Sequence, residues 1–361
     1  MERYQHGICS AHANLGATTS ALVQSRIEIE NTHGYRVIPF ASPQDSRRDR
    51  RKQLRQTITP LLANSRSATF VSHHASVSYH VTDLIGDHDH VVHFQGPWAE
   101  EAAVEGAPKW KTFLQRRQER KVYQSADRII TLSTAFKTLV VDRFGVDPDR
   151  VHVIPGAIDA SAADPAITRA EARERLDWPA DREIVLSIRR LCRRVGVDVL
   201  IQAAIDVVRN HPDVLFMIGG TGPLKSELES LIQQHQLQKN VRLLGFVADS
   251  DLQIAYRAAD YSILPTQALE GFGLVTLESM ATGTPSIVTP VGSLPEVVGP
   301  LSESLILPGK SADQIAIGLS EIFAGKRDIP GDEACREYVR SKYDWSVIAP
   351  RVLEVYRGSS S

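Results

Sequence analysis

Cysteine is scarce and scattered in this chain of 361 residues: three in all, Cys9, Cys192 and Cys335, with no CxxC pair among them. That argues against a disulfide scaffold and a cysteine-bound zinc, and it fits a reducing, cytoplasmic setting. Charge of one sign is lacking as well. The 41 Lys and Arg nearly balance the 43 Asp and Glu, leaving a formal charge of −2, without the global positive excess that nucleic-acid binding usually leaves. No apolar run approaches the ~18 residues a membrane span requires, and the N-terminus shows no continuous apolar segment of the signal-peptide kind. Low-complexity tracts and repeats of 20–50 residues are absent too.

What is present is alternation. From about residue 183, short β-branched runs, "EIVLSI", "VLFMIGG", "VRLLGF", "YSILP" and "SIVT", alternate with amphipathic stretches starting near Gly196, Pro223, Ser250 and Phe272. This predicts a parallel sheet covered by helices. The last helix ends at "TGTP", where Gly283 can take the left-handed cap and Pro285 cannot continue it. The N-terminal half alternates similarly, with strands at "YRVIPF", "ATFVS", "HVVHFQG", "RIITLS" and "RVHVIPG" and helices near 17–33, 47–64, 109–125 and 133–144. The fold expected is α/β, two Rossmann-like domains facing across a cleft, over 1–165 and 166–342, followed by a C-terminal helix and tail over 343–361. The opening "MERYQHGICSAHANLG" offers only "GIC" as a strand before the turn at Gly16, so either that strand is short and irregular or the start is shortened.

The chemistry concentrates in "ALEGFGLVTLESMATGTP". On the helix after Phe272, Leu274 and Glu278 are four apart and share a face with Leu277 and Ala281, which puts a carboxylate on the stripe expected to face the core. Buried there without a partner it would cost several kcal/mol, and a ligand hydroxyl pair would satisfy it. Gly271 and Gly273 bracket Phe272 at the helix start, where free N–H groups and the helix dipole favour a phosphate. Internal salt bridges for Glu270 and Glu278 are the competing reading. "SIRRLCRRVG" places Arg189, Arg190, Arg193 and Arg194 beyond a strand's C-terminal end, the edge at which open α/β sheets bind ligands, and guanidinium groups suit a diphosphate. "GGTGPL" follows the next strand in the same way.

Together "RRL…RRVG", "IGGTGPL", "LLGFV" and "LEGFGLVTLESMATGTP" resemble the signature of glycosyltransferase family 4, retaining nucleotide-sugar-dependent enzymes of GT-B fold. "HFQGPWAEE", "ADRIITLS" and "VHVIPGAID" extend the resemblance into the first domain, and the first of these resembles members of bacterial exopolysaccharide biosynthesis. The resemblance implies that 1–165 is the acceptor domain and 166–342 the nucleotide-sugar donor domain, and that the last helix returns to the first. It also implies that Glu278 holds the ribose hydroxyls and that Glu270 faces the transferred sugar. It places the backbone from Gly271 through Phe272 and Gly273 to Leu274 on sugar and phosphate, and Arg190 on the diphosphate. Gly16, Gly220 and Gly222 would let backbone approach the donor, with Phe246 and Val247 bordering the base. Relatives often carry Lys where this chain has Val195, so the second cation is assigned to Arg194; many carry His where it has Gln95, and His93 shares that strand face. His74, His93, Gln95 and Trp98 are the acceptor-side candidates, although Trp98 serves equally well as core.

The implied activity is metal-independent, retaining hexosyl transfer, with UDP-glucose as first expectation, to a glycan or lipid-linked glycan acceptor in polysaccharide assembly. No cofactor is implied beyond the nucleotide sugar as co-substrate. Same-face attack is what the resemblance mainly implies, with only Glu270 nominated near the anomeric carbon; Glu270 as a covalent nucleophile is the alternative left open. An epimerase or hydrolase of the same fold and a non-catalytic nucleotide-sugar sensor are the alternatives. Six of twelve histidines fall between 73 and 93, but "HHASVSYH" has no metal-site spacing. The basic runs "RRDRRKQLR" (47–55) and "RRQERK" (116–121) read first as solvated helix faces, and alternatively as attraction to the inner face of an anionic membrane.

Overall fold

A computed structural model describes residues 2–25, 34–65, 67–162 and 167–358. The chain divides into two compact units, one of residues 1–103, 107–157 and 345–361, the other of residues 104–106 and 158–344.

The first unit runs Glu2–Asn14 (α1), Ser20–Val23 (β1), Arg36–Pro39 (β2), Arg47–Ala63 (α2), Phe70–Ser72 (β3), Ala75–Ser78 (α3), His90–Phe94 (β4), Trp98–Val104 (α4), Lys109–Ser125 (α5), Arg128–Thr131 (β5), Thr134–Phe144 (α6) and Val151–Val153 (β6). Its strands form two all-parallel sheets, β1-β2 and β3-β4-β5-β6. β4 is buried along its whole length, as befits a parallel strand covered on both faces. Phe94 from β4 packs edge-on against Tyr123, Phe136 and Phe144, the centre of this unit's core.

Two expectations fail here. The helix read near 17–33 is a strand at its start, because Ser20–Val23 pairs in parallel with Arg36–Pro39; residues 26–33 lie outside the described set. Gly16 follows a helix, α1, and precedes the amino end of β1. It therefore sits at the edge opposite to the one where parallel α/β sheets receive ligands.

The second unit runs Arg169–Arg175 (α7), Ile184–Ile188 (β7), Val197–Asn210 (α8), Leu215–Gly219 (β8), Lys225–Gln234 (α9), Val241–Gly245 (β9), Asp249–Ala258 (α10), Tyr261–Leu264 (β10), Leu274–Ala281 (α11), Ser286–Val288 (β11), Leu294–Val298 (α12), Ala312–Phe323 (α13) and Asp332–Tyr343 (α14). Capping boxes start α7 (Thr168 with Glu171) and α13 (Ser311 with Gln314). The parallel sheet is ordered β11-β10-β7-β8-β9. Successive strands thus run outward from β7 in one direction through β8 and β9, then in the other through β10 and β11. The reversal between β7 and β10 is a topological switch point, where flanking loops diverge and leave a crevice at the carboxyl edge.

The last helix, Trp345–Arg357 (α15), returns to the first unit. Gly7 of α1 lies so close to Trp345 that an added Cβ would stand 2.5 Å from the indole. His12 Nε2 bonds the Ala349 carbonyl at 3.1 Å, and Thr69 Oγ1 donates to the Tyr356 carbonyl at 2.9 Å.

Candidate functional site

The carboxyl edge of the second unit's sheet gathers most of the residues singled out in sequence. Beyond β7 the chain passes through Arg189 to Gly196, and beyond β10 through Pro265 to Gly273. Gly196, at φ +79°, lies where a Cβ would meet the Pro265 carbonyl at 2.1 Å, so only glycine lets these two loops close on each other. Gln267 N–H completes the closure, donating to the Arg194 carbonyl at 2.8 Å. Gly220, after β8, holds the same relation to the Arg189 carbonyl, 1.9 Å from an added Cβ. Three strand ends are thereby drawn together at the switch point.

In that crevice Arg189 Nη2 donates to Glu270 Oε2 at 2.6 Å, and the Thr266 hydroxyl donates to the same oxygen at 3.2 Å. Both side chains of the ion pair are 10% exposed. Burial by itself would lower the Arg189 pKa, but the Glu270 carboxylate outweighs it and raises the value. Arg189 Nη1 is buried and has no hydrogen-bond partner among the described residues. A buried guanidinium donor without an acceptor is costly, and the deficit would be met by an anionic ligand. Just ahead of Glu270, Leu269 adopts φ +56°, a left-handed conformation disfavoured by about 1–2 kcal/mol for a residue with a Cβ. Such strain collects at ligand sites.

Arg189 is the residue that sequence reading passed over in favour of its neighbours. Arg190 is exposed and Arg194 half-buried, while Arg193 pairs at the surface with Glu227 at 2.6 Å and Asp198 at 3.2 Å. The signal was available: consecutive residues leaving a strand point to opposite faces, so only one member of "RR" can turn inward. Val195, where relatives carry lysine, is 2% exposed and packed as a core residue.

Helix α11 begins immediately after Gly273, which caps it at φ +74°. Its core-facing side is Leu277, Met280 and Ala281, with Thr276 and Ser279 also buried; Leu274, Val275 and Glu278 are half-buried. The reading that put Glu278 on the fully buried stripe is corrected accordingly. The Leu274–Glu278 pair forms the half-open flank of the helix, a position a ligand can reach. Phe272 is buried against Tyr343, Gly271 is half-buried, and beyond β9 Phe246 is 76% exposed with Val247 half-buried beside Gly219.

The acceptor-side candidates gather at the carboxyl ends of β3 and β4 in the first unit. Gln95 Nε2 lies 3.2 Å from His73 Nδ1, and His74 meets the Trp98 ring edge-on at 6.2 Å. His93 is different. It is 2% exposed, stacks on His73 at 4.5 Å, and shares a 2.7 Å hydrogen bond with Tyr356 of α15. A strand covered on both faces leaves no open side for it, so His93 is a core group of this unit instead of an open stand-in for Gln95. Burial lowers the pKa of His73 to about 4 and takes His93 well below its ordinary value. Among the described residues no three His, Cys, Asp or Glu side chains are placed to hold a metal.

One further buried carboxylate was not anticipated. Glu119 of α5 is fully buried and accepts from the backbone N–H groups of Trp98 (2.7 Å) and Ala99 (3.2 Å) at the start of α4. Burial pushes its pKa up to about 7.

Two family models match the chain: glycosyltransferase family 4 over residues 1–162 and glycosyl transferases group 1 over 168–342. A D-inositol 3-phosphate glycosyltransferase of Kineococcus radiotolerans is 31% identical over 260 residues, 66% of this chain and 59% of that one. A GDP-mannose-dependent α-(1-6)-phosphatidylinositol monomannoside mannosyltransferase of Mycobacterium tuberculosis is 28% identical over 250 residues, 67% of this chain and 64% of that one. The match therefore spans less than two thirds of the length of these relatives. Among solved structures, sucrose-phosphate synthase of Thermosynechococcus elongatus superposes with a TM-score of 0.81 at 21% identity, covering 98% of this chain and 92% of that one. Anabaena HepE in complex with UDP-glucose does so with a TM-score of 0.75 at 18% identity, covering 98% and 95%.

Proposed function

We propose, for a chain that belongs to glycosyltransferase family 4 and has the GT-B fold, that it transfers a hexosyl group from a nucleotide sugar to a glycan or lipid-linked glycan with retention of configuration. The observation that carries the reading is the buried Arg189–Glu270 pair at the β7/β10 switch point, eight residues ahead of the half-open Glu278. Glu278 would accept from the ribose hydroxyls, and the α11 N-terminus would receive the diphosphate.

Transfer breaks the anomeric C–O bond and leaves both electrons on the departing diphosphate. Positive groups fixed where that charge develops are worth most in the transition state. Arg190 and Arg194 are proposed to meet the diphosphate together with the first N–H groups of α11. Arg189 would hold Glu270 oriented toward the sugar, where the carboxylate supports the oxocarbenium-like carbon. The acceptor hydroxyl attacks on the face the diphosphate leaves, and its proton passes to a leaving phosphate oxygen. The reaction is proposed to need no metal, so turnover should survive a chelator.

UDP-glucose is the first donor to test, and the HepE complex makes it a reasonable one. GDP-mannose is the second, since the mycobacterial relative is named for it. Each labelled donor would be incubated with and without oligosaccharide and glycolipid acceptors. Acceptor-dependent product with the anomeric configuration of the donor supports the proposal. Rapid turnover of donor alone would indicate an epimerase or hydrolase, and tight donor binding without transfer to any acceptor would indicate a sensor.

A further inference from the structure

Over its first three turns helix α5 wears its amphipathicity inside out, before Val122 and Tyr123 return to the core at its end. Along Lys109–Lys121 the side chains turned into the unit are Thr112, Gln115 and Glu119, all at most 5% exposed. The apolar side chains of the same stretch face outward: Trp110 is 68% exposed, Phe113 62% and Leu114 49%. These three stand at i, i+3 and i+4 and so form one contiguous patch on the helix surface. Around it Lys109, Lys111, Arg117, Arg120 and Lys121 are all exposed.

The other basic helix shows that this is no general habit of the unit. In α2 the apolar Leu54 and Ile58 are buried while Arg47, Arg48 and Arg51 face water, the ordinary arrangement of a solvated helix. On α5 a Trp, a Phe and a Leu are left in water while a carboxylate is taken into the interior. Clustered exposed apolar groups of this kind mark a surface that is covered in use. Water alone gives no reason for the arrangement.

We infer that the outer face of α5 is a docking surface for an anionic lipid bilayer, with Trp110, Phe113 and Leu114 entering the headgroup boundary and the surrounding Lys and Arg meeting lipid phosphates. The charge pattern selects this occupant. An aromatic and aliphatic centre ringed by cations fits an interface that is apolar below and negative above. No helix among the described residues is long and apolar enough to cross a membrane, so attachment through α5 is lateral and reversible. The inference rests on α5 alone and stands whether or not the transfer reading holds.

The test is flotation of the full chain with vesicles of phosphatidylcholine alone or with about one third phosphatidylglycerol, which reads lipid binding and not activity. The wild type is expected to float with anionic vesicles at low salt, and raised salt should weaken the association without abolishing it. Trp110→Ala/Phe113→Ala/Leu114→Ala should lower the partition coefficient by at least about tenfold, since each exposed apolar side chain that enters lipid contributes in proportion to its area. Its thermal midpoint should stay at the wild-type value, because these side chains touch water in the free protein. Lys109→Gln/Lys111→Gln/Arg117→Gln should remove the preference for anionic vesicles. Failure of the wild type to float at low salt, or equal flotation of the apolar triple variant, would overturn the inference. So would a concentration-dependent dimer that forms without vesicles and is abolished by Trp110→Ala, which would give the patch to a second copy of the chain.

Discussion

The molecule buries two glutamates, one singled out in the sequence and one not, and it solves each burial differently. Glu270 is answered by the Arg189 guanidinium at 2.6 Å and by Thr266. Glu119 is answered by two backbone N–H groups, with the Tyr123 hydroxyl at 3.5 Å, and its pKa rises to about 7 under burial. A carboxylate paired with a cation has a fixed counter-charge beside it and can act on a ligand. One held by helix-start amides at the cost of desolvation is a structural clamp whose charge varies with pH. Burial alone therefore does not nominate a functional acid; the partner does.

The comparison breaks most sharply at Arg189. Arg189→Met strands Glu270 in the interior, and the expected loss is about 3–5 kcal/mol of stability by urea unfolding. Arg189→Met/Glu270→Leu should recover most of that loss, because replacing both ions by apolar groups removes the unpaired charge. Turnover should not recover with it. If stability and turnover return together, the pair is only structural.

Glu270→Gln keeps the size of the side chain and removes its charge. A fall in kcat of about 100–1000-fold is expected, with donor affinity changed far less. Steady-state kinetics with saturating acceptor decide this, and retention of kcat within about threefold would remove Glu270 from the chemistry.

Glu119 supplies the contrasting case, with a sign that can be worked out. Its folded pKa of about 7 lies above the ordinary 4.5, so the folded state binds the proton more tightly. Its contribution is fully present below 4.5 and is lost as pH rises through about 7. Buried His73 and His90, lowered to about 4, act oppositely, losing stability as pH falls from 6.5 toward 4. They are common to wild type and variant and cancel in the difference. Glu119→Gln should therefore gain on wild type by up to about 3 kcal/mol between pH 4.5 and 7.5, and a pH-independent difference would contradict the assignment.

The smallest effect belongs to Glu278, on the half-open flank of α11. Glu278→Gln should raise the donor KM by about tenfold, the order of a lost charge-assisted hydrogen bond, and leave kcat nearly unchanged. A kcat effect without a KM effect would place Glu278 outside the ribose site.

Much of this was legible in the sequence. The five strands of the second unit and the Gly273–Gly283 limits of α11 follow from patterns set by local chemistry: β-branched runs, glycine caps and a 3.6-residue period; the return of the last helix was implied by the family resemblance alone. What escaped depended on tertiary pairing. Ser20–Val23 is too short a run to declare itself a strand until Arg36–Pro39 lies beside it. His93 looked open because its covering element, α15, comes 263 residues later. Arg189 and Arg190 are the same letter twice, and only the direction in which β7 ends separates the buried one from the exposed one. Glu119 stood inside a charged run and read as solvated because the inversion of α5 violates the rule by which such runs are read.

The central claim is that the switch-point crevice of the second unit receives a nucleotide sugar. Calorimetric titration of UDP-glucose and GDP-mannose into the wild type and into Glu278→Gln tests it directly. The expected result is one donor binding at a single site, with affinity lowered about tenfold in the variant. The contradicting result is no heat from either donor up to about 10 mM, or equal affinity in both proteins.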